Sequence, residues 1–424
     1  MAQSTLEGGA AETAALSAPL KAGLAALEKD GDALVRRTLA WSQINSGSRE
    51  MGGLARMRDA LLDALREAPA KVERIVLPPT ERISPTGDSE PVEHGEALRL
   101  RVRHEAPVQI ALTGHYDTVF PANHPFQTPR FRVDGCLHGP GVADMKGGIC
   151  VMLAALEAFE RLPEAANVGY EVLLSPDEEI GSPASAPLLA ELGARAHVGM
   201  TYEPALAEGA LVSSRKGSGN FSIVLRGRAA HVGRAFADGK SAIIAAADAV
   251  MRLDALNGQR DGVTINVGAI EGGGPVNIVP DRAVVRFNVR APDAFAQEWA
   301  RAGVSAVMDG LAVRAGVSAR LHGGFTRPPK PLNPAQERLI GWTREAGQSL
   351  GLELDFTPSG GVCEGNNLAA AGCPNIDTLG PRGGALHSDE EFAVAESFAE
   401  RAKLSLVLLA GFASGRWDAK ALRA

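Results

Sequence analysis

The sequence predicts an α/β fold with a second, smaller unit inserted into it, and three observations carry that reading. Through the first half of the chain, short apolar runs alternate with helix-length amphipathic segments, as strands and covering helices do in a mostly parallel sheet. From about residue 212 the order becomes strand, helix, strand, strand, helix, strand, which is the ferredoxin-like split unit. Beyond residue 328 the earlier alternation returns. The 424 residues give room for two or three domains. The simplest partition joins 1–212 with 329–424 and sets 213–328 as the insert.

Residues 16–68 carry Trp41, Ile44, Met57, Leu61, Leu62 and Leu65 at helical spacings around a break at Ser46-Gly47-Ser48. Residues 98–102 alternate as a strand. Residues 108–113 form an apolar run closed by Gly114, which suits a buried strand. A helix over 147–162 opens on two glycines and carries Ile149, Met152, Leu153, Leu156 and Phe159. Strands follow at 168–174 and 196–201. In the insert, strands are expected at 219–225, 263–270, 283–289 and 317–322, with helices at 240–253 and 294–313. The run Phe325-Thr-Arg-Pro-Pro-Lys-Pro331 reads as a linker. A helix over 334–350, a strand over 352–357 and a long helix from 393 onward complete the chain.

Composition narrows the function classes. Apolar residues at 45% and charged residues at 22% make a globular mixture, not a disordered, collagen-like or disulfide-scaffold chain. Lys+Arg 43 against Asp+Glu 50 leaves a net charge of −7, so no basic footprint for nucleic acid or anionic lipid is expected. Cys136, Cys150, Cys363 and Cys373 form no CxxC pair, which argues against a zinc ribbon. Residues 1–30 are Ala-rich without a charged segment leading into an apolar one, so no secretory signal is expected. The longest apolar run, 404–415, is too short to cross a bilayer. A soluble cytoplasmic protein is the expectation.

The chemistry sits at the expected strand exits. His115 and Asp117 follow the strand at 108, Glu178 and Glu179 follow the strand at 168, and Glu203 follows the strand at 196. Asp144 precedes the first buried helix, and His387 lies far downstream in the same reconstituted domain. In open α/β sheets, sites form beyond the carboxyl ends of the strands. Two imidazoles with several carboxylates suit zinc, cobalt or manganese. They suffice for two metals about 3.5–4 Å apart sharing one carboxylate. In that arrangement Asp144 bridges, His115 and Glu203 complete one site, and Glu179 and His387 complete the other. Glu178 is left free to move a proton, and Asp117 fixes the His115 tautomer. Taken singly, each residue has an ordinary reading as a helix cap, loop or surface charge. Five such groups in order, most at strand exits and several flanked by glycine, shift the balance toward a metal centre.

These stretches resemble the M20 metallopeptidases, a group of carboxypeptidases, desuccinylases, deacetylases and aminoacylases. The resemblance rests on Gly114-His-Tyr-Asp-Thr-Val, Gly139-Pro-Gly-Val-Ala-Asp-Met-Lys-Gly-Gly, Asp177-Glu-Glu-Ile-Gly-Ser, Glu203-Pro and His387-Ser-Asp-Glu, and it covers nearly the whole chain after the first helices. It implies a zinc-exopeptidase-like catalytic domain with an inserted dimerisation or lid domain. It also implies a pair of Zn2+ ions on the ligands above, Glu178 as general base, and a cis peptide after Asp144. In the insert, Gly227-Arg-Ala-Ala-His231 matches a motif whose histidine stabilises the oxyanion in the partner subunit, so a homodimer is implied. Asn277 matches a substrate-facing residue and Arg290 a residue that grips the substrate carboxylate, for which a guanidinium fork is well shaped. Gly360 and Gly361 match a pocket loop, but Cys363 and Glu364 replace its usual Ser/Thr and Asp. Cys363 is read as a packing residue.

The implied substrate is a small peptide or an N-acyl amino acid. Carboxypeptidase-like release of a residue such as glutamate stands first, N-acyl-amino-acid deacylation second, and a non-catalytic metal-binding scaffold last. No Lys or Arg lies between Glu203 and Arg215, so a second anchor for a glutamate side chain is not evident.

Overall fold

The computed structural model describes residues 16–423, so the reading of the first fifteen residues lies outside it. The central sheet has six strands in the order Val72–Val76, Glu96–Val102, Val168–Ser175, Val108–His115, Val198–Thr201 and Asn375–Ile376. The last four run parallel to one another, while Val72–Val76 and Glu96–Val102 pair antiparallel. Strands Val108–His115 and Val168–Ser175 are buried at almost every position, as expected where helices cover both faces. On one face lie helices Ala18–Lys29, Gly31–Ser42, Met51–Ala64, Lys146–Phe159 and Ser397–Ala413, with Met57, Leu61, Ile149, Phe159, Phe398 and Leu409 fully buried. On the other, helices Ala186–Arg195 and Glu364–Ala370 pack Leu189, Leu192 and Leu368 against Ala97, Ala111 and Leu173.

A four-stranded antiparallel sheet, in the order Thr264–Gly272, Arg282–Ala291, Gly217–Arg226 and Ser318–Arg327, is built from the middle of the chain. Helices Ala242–Asp254 and Ala294–Ala312 cover one face over a core of its own, with Phe221, Ile223, Leu225, Val285, Phe287 and Ala300 buried. The chain order matches the split unit expected from the sequence. Two segments cross between the sheets: Leu211–Arg215 pairs with Phe356–Ser359, and Arg215 bridges to Lys330. Buried Asp377 accepts hydrogen bonds from Arg215 at 2.8 and 3.0 Å and from Lys330 at 2.7 Å, which pins both crossings to the central sheet.

Three expectations need correction. Phe325–Arg327 is strand rather than linker, because Phe325 and Arg327 pair with Gly219 and Ser218 across a bulge. The strand expected over 352–357 covers only Phe356–Ser359. Leu352 folds back to donate to the Gly347 carbonyl, and no neighbour offers pairing until Phe356 meets Leu211. The last helix starts at Ser397, since Phe392–Val394 is spent on a ladder with Cys136–His138. The hairpin Thr80–Ile83 and Ser89–Val92 was not anticipated. It reaches the inserted sheet, where Arg226 donates to Asp88 and Arg286 donates to the Ile83 carbonyl, each at 2.8 Å. All four cysteines are free, and no helix among the described residues is long and apolar enough to cross a membrane.

Candidate active site

Parallel strands that end at one edge bring their exits together. His115 is the last residue of its strand, Asp177-Glu178-Glu179 follows Ser175, and Glu203 follows Thr201 by two residues. Asp144 arrives from the loop before helix Lys146–Phe159 through a cis Asp144-Met145 peptide, as the resemblance implied. His387 comes from the turn between strands Arg382–Gly384 and Phe392–Val394, where Ala385 and His387 both adopt positive φ.

Asp144 lies between the two imidazoles and gives one oxygen to each. Its Oδ1 is 3.1 Å from His115 Nε2 and its Oδ2 is 3.3 Å from His387 Nε2. Glu203 Oε1 stands 3.8 Å from the same His115 nitrogen, and Glu179 Oε2 stands 3.2 Å from the same His387 nitrogen. Two groups, His115 with Glu178 and Glu203, and His115 with Asp144 and Glu179, each converge to within 4.8 Å. His115, Asp144 and Glu203 are buried, while His387 keeps 59% of its side chain exposed.

Asp117 organises the edge. Its Oδ1 is 3.3 Å from His115 Nδ1, and the two oxygens accept from the Glu178 and Glu179 amides at 3.1 Å. Ser48 Oγ donates to Oδ2 at 2.7 Å. Asp117 therefore orients the His115 ring, whose Nδ1 also lies 3.1 Å from the Asp117 backbone carbonyl, and its buried carboxylate holds the turn that carries both glutamates.

So many anions in one buried place unbalance their titration. Burial and repulsion from Asp144 push Glu203 up to about 8 and push Glu179 well above the usual carboxyl range. Hydrogen bonding to Asp144 and Glu179 raises His387 to about 11. Burial opposes charge on His115, yet Asp117, Asp144 and Glu203 outweigh it and raise that imidazole too. Two imidazoles facing three buried carboxylates, which avoid uncompensated charge by taking up protons, form a donor set in which a divalent cation can replace those protons. The residues fit a metal centre.

A pH prediction follows. In the metal-free protein, Glu203 and His387 both have folded values above their unfolded ones. Their contributions are present at low pH and are lost as pH rises, through about 8 for Glu203 and about 11 for His387. A divalent cation takes the place of those protons. The rise in melting temperature on adding zinc should therefore grow from pH 5.5 to pH 8.5, as measured by thermal denaturation of chelator-treated and reloaded protein. A constant or shrinking rise would contradict this.

Sequence reasoning missed Arg327, which it placed in a linker. Its guanidinium is fully buried and donates to Glu178 Oε1 at 2.6 Å and to Asn367 Oδ1 at 2.5 Å. Only its place just before Pro328-Pro329 could have drawn attention. Glu364 is buried beside the cluster, bonded to Ser175 Oγ, and burial pushes it up to about 7. Cys363 caps helix Glu364–Ala370, accepting from the Gly365 amide at 3.3 Å, and burial raises its thiol well above the ordinary range. Those are the properties of a packing residue.

Of the residues expected to bind substrate, Arg290 and Gly360 come together. Arg290 Nε donates to Asn288 Oδ1 at 2.9 Å and its NH1 reaches the Gly360 carbonyl at 3.4 Å. Gly361 is exposed next to them and donates to Ser359 Oγ at 3.0 Å. His231 and Asn277 are not brought to the candidate metal-ligand cluster of their own chain. They sit side by side on the exposed surface of the insert, with His231 bridged to Ile278 and the Val232 amide donating to the Asn277 carbonyl. His231 Nδ1 accepts from the Gly233 amide at 3.1 Å, which leaves the proton on Nε2 facing outward. A cavity of about 270 Å³ opens beside Glu179, lined by Ser48, Arg49, Thr118, Val119 and Ile180. Larger cavities at the far ends of the strands and against the N-terminal helices contain none of these residues.

Comparison with known proteins agrees with this geometry. A match to Peptidase family M20/M25/M40 runs over residues 111–410. Carboxypeptidase G2 of Pseudomonas sp. (strain RS-16) is 27% identical over 336 residues, covering 76% of this chain and 78% of that protein. Succinyl-diaminopimelate desuccinylase of Alkalilimnicola ehrlichii is 28% identical over 332 residues, covering 73% and 86%. Among solved structures, a tripeptidase from Staphylococcus aureus superposes with a TM-score of 0.70 at 23% identity, covering 91% of this chain and 99% of that one. Human carnosine dipeptidase 1 superposes with a TM-score of 0.67 at 17% identity, covering 94% and 100%. This chain belongs to peptidase family M20/M25/M40, a family of metal-using hydrolases that act on amide bonds.

Proposed function

We propose that the protein hydrolyses an amide bond next to a free carboxylate, in the manner of a carboxypeptidase that releases a C-terminal residue such as glutamate. The observation that carries this reading is Asp144 with one oxygen toward each imidazole and Glu178 beside it. His115, Asp144 and Glu203 would hold one ion, and Asp144, Glu179 and His387 a second. We take both to be Zn2+, with Co2+ or Mn2+ as substitutes. Bound there, the ions would polarise the amide carbonyl and acidify water.

The chain's own groups do the rest. Arg290 pairs with the substrate carboxylate beside Gly360 and Gly361, which fixes the amide relative to the ligand edge. Glu178 has one oxygen tied to Arg327 and the other 4.0 Å from His115 Nε2, turned toward the ligands. It takes the proton of the attacking water and returns it to the departing nitrogen. Asp117 keeps His115 in one tautomer and Glu178 in place.

Residues 1–212 and 329–424 form the catalytic part in this reading, and 213–328 form the dimerisation lid. Val232, Phe236, Ile244, Met251, Ile270, Val276 and Ile278 are all exposed on the insert, and Ile244 and Met251 share a helix face. Apolar surface of that kind marks an association site. A second copy covering it would bring His231 and Asn277 to the neighbouring cluster, where the outward Nε2–H of His231 can donate to the oxyanion.

N-acyl-amino-acid deacylation is the second reading, favoured by the similar identity to a desuccinylase. A panel of dipeptides with C-terminal Glu, Asp, Ala or Leu, beside N-succinyl and N-acetyl amino acids, separates the two. Each is assayed on zinc-loaded protein whose metal content has been measured. The carboxypeptidase reading expects kcat/KM to be highest on a dipeptide. It fails if the acyl amino acids are cleaved and the dipeptides are not.

A further inference from the structure

We propose that Glu391 is a positioning residue that holds Asp144 and His387 in one metal-binding arrangement. This inference rests on the metal-centre reading above and deepens it. Glu391 is 1% exposed, and both its oxygens are spent on a single loop. Oε2 accepts from the Gly141 amide at 3.0 Å, and Oε1 accepts from the Ala143 and Asp144 amides at 3.0 and 3.1 Å. The third of those donors is the backbone of the residue placed between the two histidines.

The tie works in both directions. The Glu391 carbonyl accepts from the Gly139 amide at 3.3 Å, and its own amide donates to the Ser388 carbonyl, also at 3.3 Å. Ser388 adjoins His387, and the next residue, Phe392, is in register with His138. One side chain thus connects two ligand segments that lie some 250 positions apart in sequence. No Lys or Arg forms an ion pair with Glu391 among the described residues, so the three amides are what hold its carboxylate. Lys146, buried nearby, spends its ammonium on the Trp41 and Ile44 carbonyls.

An amide in place of this carboxylate would turn an NH2 group toward one of the donors. A shorter carboxylate would not span all three. Either change leaves buried N–H groups unpaired, and the loop must shift to recover hydrogen bonds. Asp144 moves with it, and both of its oxygens lose their aim.

The test measures zinc affinity by competition with a chromophoric chelator on full-length Glu391→Gln, Glu391→Asp and wild type. Outer groups that orient ligands typically contribute about 10–100-fold to metal affinity, and losses of that size are expected in both variants. Leu409→Ala, a core truncation in the last helix, is the control. It should lower the melting temperature of metal-free protein and leave zinc affinity unchanged. Should Glu391→Gln fail to fold, Glu391→Asp carries the measurement. Wild-type affinity in a folded Glu391 variant overturns the positioning role alone. Wild-type protein that binds no zinc overturns the metal centre as well.

Discussion

Glu178→Gln lowers kcat by about 10²–10⁴-fold, the usual contribution of a positioned proton carrier, and leaves the metal content unchanged. The substitution is nearly isosteric and keeps an oxygen where Arg327 NH2 donates, so the local contact survives. The turn that carries residue 178 is held by Asp117 through backbone amides, which the substitution does not touch. What disappears is the ability to accept a proton from water and hand it to the leaving nitrogen. KM should change little, because the proposed substrate anchors are Arg290 and the glycine loop rather than Glu178. Steady-state kinetics with metal analysis of the same sample checks both halves. Near-normal kcat would move the base role elsewhere. A matching loss of metal would make Glu178 a ligand instead.

The strand-exit residues were legible because a parallel sheet delivers every strand's carboxyl end to the same edge. Once 108–113, 168–174 and 196–201 read as strands, the meeting of His115, Glu179 and Glu203 needed no long-range knowledge. His387 and Asp144 were harder, since their approach depends on turns and small ladders that periodicity does not reveal. Their place in the reading came from residue type and order. Arg327 was hidden because Thr-Arg-Pro-Pro looks like a connection, and its three preceding residues lack the alternation that marks a strand. Its ladder is supplied by Gly219 and Ser218, more than a hundred positions away. The hairpin at 80–92 was obscured by Pro79, Pro85, Pro91 and many charges, which suggest a loop. It is held in place from the inserted sheet, where Arg226 and Arg286 donate to Asp88 and to the Ile83 carbonyl. Glu391 could be seen only as part of an acidic run, and its inward direction is set by the donors of a loop elsewhere in the chain.

On the proposed dimer, His231→Ala should lower kcat by about 10²–10³-fold, the usual cost of one oxyanion donor, and mixing that variant with Glu178→Gln should bring activity back. Each variant alone has every site damaged. If His231 serves the neighbouring subunit, a mixed dimer contains one site with Glu178 from one chain and His231 from the other. Random exchange puts half the dimers in that state, with one intact site of two, so about a quarter of wild-type activity returns. The geometry gives reason to expect it. His231 is exposed, its outward nitrogen carries the proton, and no hydrogen bond or ion pair joins it to the ligands of its own chain. The exposed apolar side chains around it supply the force that would seat a second copy. The measurement is activity after mixing the two variants, dissociating them briefly in mild denaturant and letting them reassociate. Activity that stays at the sum of the two parents would place the oxyanion donor within one chain. It would also require the insert to swing His231 onto its own ligand edge.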